Sequence, residues 1–88
     1  MKQVPWNAII YDEFCRLAML NDKERFIMRT RIMDEMTVTQ QAEHLHCSPE
    51  TVRDMIRDLK NRYDAVQPYS ALLPVRKKSK KEEYMDTH

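Results

Sequence analysis

Arg53, Arg57 and Lys60 follow one another at intervals of four and three residues, a spacing that gathers them on one flank of a helix. A guanidinium is a planar fork of donors that matches paired acceptors, such as phosphate oxygens or the O6 and N7 edge of guanine. Asp54 and Asp58 fall on the opposite flank, so the exposed face of such a helix would be polarised. Other reactive types are less well arranged. His44, His46 and Cys47 are residue types that bind zinc, but the histidines straddle an expected helix end, and Cys15 is the only further cysteine. Cys15 lies on an amphipathic stretch with no base at a fixed spacing, and no carboxylate pair marks a pocket. Neither an enzyme, a metal site nor a cofactor is therefore expected. The chain has seven methionines, of which Met28, Met33 and Met55 sit at core positions by period, so packing explains them better than an adaptable binding surface does.

Composition bounds what can position these groups. At 88 residues the chain suits a single unit, expected over 1–75, with a disordered, solvated basic and polar tail over 76–88. Its 42% hydrophobic and 33% charged residues are ordinary for a globular chain, and no apolar run approaches the ~20 residues of a membrane-crossing helix. No apolar segment follows the N-terminus in the manner of a secretory signal, and two cysteines are too few for a disulfide framework; the expectation is a cytoplasmic protein with reduced thiols. Glycine is absent from the sequence, which removes the loops of Walker-type and dinucleotide sites. Taking the five cations and three carboxylates of 76–88 from the totals of 15 and 14 leaves 10 against 11, a net of −1 for residues 1–75. Contact with a polyanion must then depend on where charge is placed rather than on how much there is.

The apolar period predicts four helices, at about 5–20, 22–34, 38–45 and 49–64, an all-α domain. Trp6, Ile9, Ile10, Phe14, Leu17 and Ala18 form one face of the first, with Pro5 in its opening turn. Asn21 and Glu24 make an N-x-x-E capping box for the second, whose inward stripe would be Ile27, Met28, Ile32 and Met33. Thr37 with Gln40 starts the third, and Ser48 with Pro49 starts the fourth only eleven residues later. Val52, Met55, Ile56, Leu59 and Tyr63 keep the helical period through the fourth, and Gln67-Pro68 ends it. Tyr69–Val75 is apolar enough to fold back on the body.

A helix-turn-helix needs a small residue where its helices cross, an apolar residue ending the first, a tight turn, and apolar residues at fixed offsets on the second. Ala42, Leu45, Cys47, Val52 and Met55 fill those places. The stretch from Leu20 to Tyr63 resembles region four of bacterial sigma factors and the similar helix-turn-helix of LuxR-type regulators. Leu20 with Glu24-Arg25, Thr37-Val38, Ala42, Leu45 and Ser48–Arg53 carry the resemblance. It departs from the pattern at Glu35 and His46, where glycine is usual, and at Gln41, where an apolar residue is usual.

The resemblance implies a sequence-specific DNA-binding regulator of transcription that lays the fourth helix in the major groove of double-stranded DNA. In that docking Ser48, Glu50, Thr51, Arg53 and Asp54 reach base edges, with Arg53 on guanine and Glu50 or Asp54 on cytosine N4. Arg57 reaches base or phosphate, and Thr39, Gln40 and Lys60 contact phosphate. A lone reader covers few base pairs, which favours a homodimer with helix one or Tyr69–Val75 as the seam. The chain has no room for the promoter-melting part of a sigma factor. The competing reading is an adaptor that uses the same fold to hold RNA polymerase or another protein, which the net −1 supports.

Overall fold

The computed structural model describes residues 4–76. They form α1 (Ala8–Leu17), α2 (Asp22–Ile32), α3 (Val38–Leu45), α4 (Pro49–Val66) and a 3-10 turn at Gln67–Tyr69, with no strand among the described residues. The chain is all-α, as its periodicity predicts. Helix bounds differ from the expected ones where a local cap overrides the apolar pattern. Asn7, not Pro5, opens α1, because its Oδ1 accepts the Ile10 N–H at 2.9 Å. The same helix stops at Leu17, not near residue 20. Leu20 N–H donates to Cys15 O at 3.1 Å and Met19 N–H to Arg16 O at 3.3 Å, a Schellman closure that puts Met19 in the left-handed region at φ 52°.

The Asn21–Glu24 capping box forms with both hydrogen bonds, at 2.9 and 3.0 Å. Helix α2 ends at Ile32, so Met33 leaves the inward stripe predicted for it and is exposed. Ile9 is likewise exposed rather than part of the inner face of α1. At the other end of the chain α4 runs to Val66, beyond the expected stop near residue 64, because no breaker precedes Gln67-Pro68.

Phe14, Ile27, Met28, Val52, Leu59 and Tyr63 are sealed from solvent at the centre. Three aromatic rings, Trp6 before α1, Phe14 on α1 and Tyr63 on α4, close this core. Phe14 and Tyr63 lie 5.3 Å apart edge to face, Trp6 and Tyr63 5.6 Å, and Trp6 and Phe14 6.0 Å. Such pairs contribute about 0.5–1.5 kcal/mol each beyond the area they bury. Burial pushes the Tyr63 hydroxyl up to about 12, with the Asp64 charge adding to it.

Gln41 is fully buried, which its polar type did not foretell. Its Nε2 donates to Ile27 O at 3.0 Å and to Thr30 Oγ1 at 2.9 Å, and the Thr30 hydroxyl donates to Phe26 O at 2.8 Å. A buried amide is tolerated when its donors are met, and here they join α3 to α2.

Beyond α4 the segment folds back, as its composition predicts. Leu73 is buried, Tyr63 Oη donates to Pro74 O, Gln67 Nε2 donates to Leu73 O at 3.0 Å, and Ser70 Oγ donates to Glu13 Oε2 at 2.6 Å. The Ser70 hydroxyl, then Arg16, holds the Glu13 carboxyl below its usual range. The tail expected from residue 76 does not begin there: Arg76 is 6% exposed and forks onto Asp64, with Nε–Oδ1 at 3.2 Å and NH2–Oδ2 at 2.8 Å. An ion pair offsets the cost of burying the guanidinium, a partner that a composition argument does not see. Residues 77–88 of the expected tail lie outside the described residues.

Candidate nucleic-acid interface

The bend between α3 and α4 is held by backbone geometry without glycine. His46 caps α3 in the left-handed region at φ 55°; its N–H and that of Cys47 donate to Glu43 O and Ala42 O at 3.3 and 3.0 Å. Glu35, at the α2–α3 corner, is also left-handed at φ 52°. A non-glycine residue there costs about 1 kcal/mol or somewhat more. Both residues thus stand at corners whose backbone favours glycine. Ala42 is buried at the crossing, Val52 is buried on the inner face of α4, and Leu45, Cys47 and Met55 are half-buried around the bend.

The predicted contact residues divide by what already holds them. Arg53, Asp54, Arg57, Glu50, Thr51, Ser48, Thr39 and Gln40 are all exposed, and Lys60 is half-buried. Ser48 Oγ accepts the Thr51 N–H at 3.2 Å and lies 3.0 Å from Thr51 Oγ1, so both hydroxyls serve the cap of α4. Gln40 Oε1 accepts the Thr37 N–H at 2.9 Å, which leaves its Nε2 as the donor for an outside acceptor. Arg57 and Asp54, expected on different flanks, form an exposed ion pair one turn apart. Exposed pairs of this kind are worth about 0–1 kcal/mol and open readily. No ion pair or hydrogen bond holds Arg53 among the described residues.

Sequence reasoning missed Arg31. It stands on the last turn of α2 and, with Val38 of α3 and Arg53, Ile56, Arg57 and Lys60 of α4, lines an open groove of about 360 Å³. Four cations and no carboxylate border this groove, and its floor is apolar. The Arg31 NH1 reaches Gln41 Oε1 at only 3.5 Å, and its buried Nε has no hydrogen-bond partner among the described residues. No period on α2 announces Arg31, because its meeting with α4 is made by tertiary packing; a sequence signal would have needed the α2–α4 crossing in advance.

The His44–His46 region forms a separate shallow depression of about 340 Å³ lined by Glu43, His44 and His46. His44 stacks obliquely on Phe26 at 5.7 Å, which gives one of the two imidazoles a packing role. No group of three or more His, Cys, Asp or Glu among the described residues is arranged to hold a metal ion. Cys15 is buried, and burial raises its thiol above the usual value. Among the described residues no helix is long and apolar enough to cross a membrane.

Comparison with known protein families, curated proteins and solved structures gives no match for this chain.

Proposed function

We propose that the chain is a sequence-specific DNA-binding regulator of transcription, with the N-terminal half of α4 as the reading element. The observation that carries this reading is the groove bordered by Arg31, Arg53, Arg57 and Lys60 with no acid on its lining. In a chain whose first 75 residues are slightly acidic, such a gathering of cations beside an exposed helix face is a placed feature, and phosphate is its natural complement. Arg53 and Arg57 project beside Glu50 and Asp54, so the same face offers forked donors for guanine and carboxylate acceptors for cytosine. Those carboxylates repel phosphate unless correctly placed, which favours a specific reader over a non-specific one.

Selection of bound oligonucleotides followed by titration at two salt concentrations tests the reading. Affinity falls as salt rises, and Arg53→Ala weakens the selected duplex by about 1–3 kcal/mol and a scrambled one by less. Absence of binding across a randomised library, at low as at high salt, overturns it in favour of an adaptor that holds a protein.

A further inference from the structure

Among the described residues the Nε of Arg31 is a buried side-chain donor that no acceptor meets. The residue is half-buried, and its NH1 has only the long 3.5 Å contact with Gln41 Oε1. Arg31 joins none of the ion pairs among the described residues, whereas Arg57, on the α4 side of the groove, has Asp54. A guanidinium drawn partly out of water without a counter-ion destabilises the free chain, and an uncharged side chain of similar length would not. An anion in the groove reverses that balance.

The surroundings of Arg31 favour one. Val38, on the groove floor, is the first residue of α3, and that helix supplies no acceptor for the Val38 and Thr39 N–H groups, since Thr37 Oγ1 takes that of Gln40. The positive end of α3 thus opens beside Arg31, Arg57 and Lys60, with no carboxylate on the lining to compete. Ile56, 9% exposed, completes an apolar floor that keeps water from one side and so strengthens attraction to a charge held above it. Rotation about the last bonds of the Arg31 side chain brings Nε and a terminal nitrogen side by side onto one acceptor, and gives up only the 3.5 Å contact. Donors from three helices border the groove, so the acceptor that suits it presents oxygens in more than one plane, as a tetrahedral phosphate does and a flat carboxylate does not.

Resting on the DNA reading above for the source of the anion, we propose that Arg31 is the phosphate seat of this groove: its Nε and a terminal nitrogen fork onto one phosphate of the nucleic-acid backbone, which Arg57 and Lys60 meet from α4. The charge that burdens the free chain is the one that holds the ligand, so stability and binding respond in opposite directions when it is removed.

The test uses the full chain and its Arg31→Met, Arg31→Lys and Arg29→Met variants. Arg29 is exposed on α2, acts electrostatically on Tyr11 of α1 and does not line the groove, so its replacement removes the same charge from another face. In phosphate-free buffer Arg31→Met keeps or raises the thermal midpoint, the opposite of what loss of a structural arginine does. Inorganic phosphate, added at constant ionic strength, raises the midpoint of the parent chain and of Arg29→Met but not that of Arg31→Met. Titrated with a mixed-sequence duplex over a range of NaCl, Arg31→Met binds at least about tenfold more weakly with a salt slope shallower by about 0.9, and Arg29→Met changes affinity less than about threefold. Arg31→Lys keeps the slope, loses the fork and binds with intermediate affinity. A midpoint lowered by Arg31→Met, or equal binding losses at positions 29 and 31, overturns the proposal. Duplex binding that Arg31→Met leaves unchanged overturns the seat and keeps the DNA reading. Arg31-dependent stabilisation by inorganic phosphate with no duplex bound retains the seat for a free phosphorylated ligand and overturns the DNA reading alone. Duplex binding that depends on Arg31, without a shift from inorganic phosphate, upholds the seat for a strand only, and binding of neither anion overturns both.

Discussion

Glu24 serves two helices at once: its Oε1 accepts the Asn21 N–H at 3.0 Å to complete the cap of α2, and its Oε2 pairs with the Arg62 guanidinium of α4. Arg62 also donates to Ala18 O, at the end of α1, and lies 3.7 Å from Asp58. The end of α1 and the start of α2 therefore meet on one partly buried guanidinium of α4. Arg62→Ala is expected to lower stability by about 1.5–3 kcal/mol, the range for removing hydrogen bonds to charged groups. Glu24→Gln is expected to cost less than Glu24→Ala, because a glutamine oxygen still caps α2. Urea unfolding checks both, with the midpoint moving and the slope constant; equal losses for Gln and Ala would show that the cap contributes nothing.

Gln41→Leu is expected to change stability by no more than about 1 kcal/mol. The Ile27 carbonyl it leaves lies within α2, the Thr30 hydroxyl still donates to Phe26 O, and the one donor released is Arg31 NH1, whose contact with Gln41 Oε1 is long at 3.5 Å. Gln41→Glu places a charge in the same sealed site and is expected to cost more than about 3 kcal/mol at neutral pH. Thermal melts of the two variants separate these outcomes, since a change of about 1 kcal/mol moves Tm by about 4–8 °C at this size.

Met19 occupies a left-handed corner with its side chain 84% exposed, so it has strain and little packing to lose. Met19→Gly is expected to stabilise the chain by about 1 kcal/mol, a gain rarely seen when glycine is introduced. A lower denaturation midpoint would mean that the packing of the Met19 side chain is worth more than the backbone relief.

Alkaline titration should report Tyr63. Its hydroxyl, raised to about 12 by burial and then by Asp64, loses its proton less readily in the folded chain than in the unfolded one, where the ordinary value is 10.0. The contribution of this group is therefore intact below pH 10 and is lost as pH climbs towards 12. Tyrosinate absorbance should show a late component that coincides with loss of helicity and is lost in Tyr63→Phe, while Tyr11, whose hydroxyl burial also raises above the ordinary value, still titrates in that variant. Ionisation of all four tyrosines together near the ordinary value would contradict the buried placement.

Asp54→Ala is expected to release Arg57 and raise affinity for unrelated duplexes severalfold while the preference for the selected sequence shrinks. The Arg57–Asp54 pair is exposed on both sides, so stability should stay within about 0.5 kcal/mol. Electrophoretic mobility shifts on selected and scrambled duplexes measure both affinities, and an unchanged ratio between them would remove Asp54 from specificity.

Much of this architecture is written locally. The Asn21–Glu24 and Thr37–Gln40 boxes and the Ser48-Pro49 start each rest on residues three apart or closer, and all three form as their spacing predicts. The exposed face of α4 is likewise a matter of period, so Arg53 and Arg57 lie in the open. What the sequence does not disclose depends on partners far along the chain. Gln41 is buried because Ile27 and Thr30 receive it, Arg31 joins the groove because α2 crosses α4, and Arg76 is drawn in by Asp64. Polar type alone places each of these three at the surface. The α1 bounds fail for another reason: Asn7 and Met19 close the helix by hydrogen bonds that apolar periodicity ignores.

Tyr63 is touched by Trp6 from the beginning of the described chain and bonded to Pro74 near its end. Both outer segments thus belong to the cooperative unit rather than trimming it. Truncation at the last turn of α4, the natural cut for anyone excising a minimal helical module, would wet the ring that α1 is built around, and the loss would be felt at the opposite terminus first.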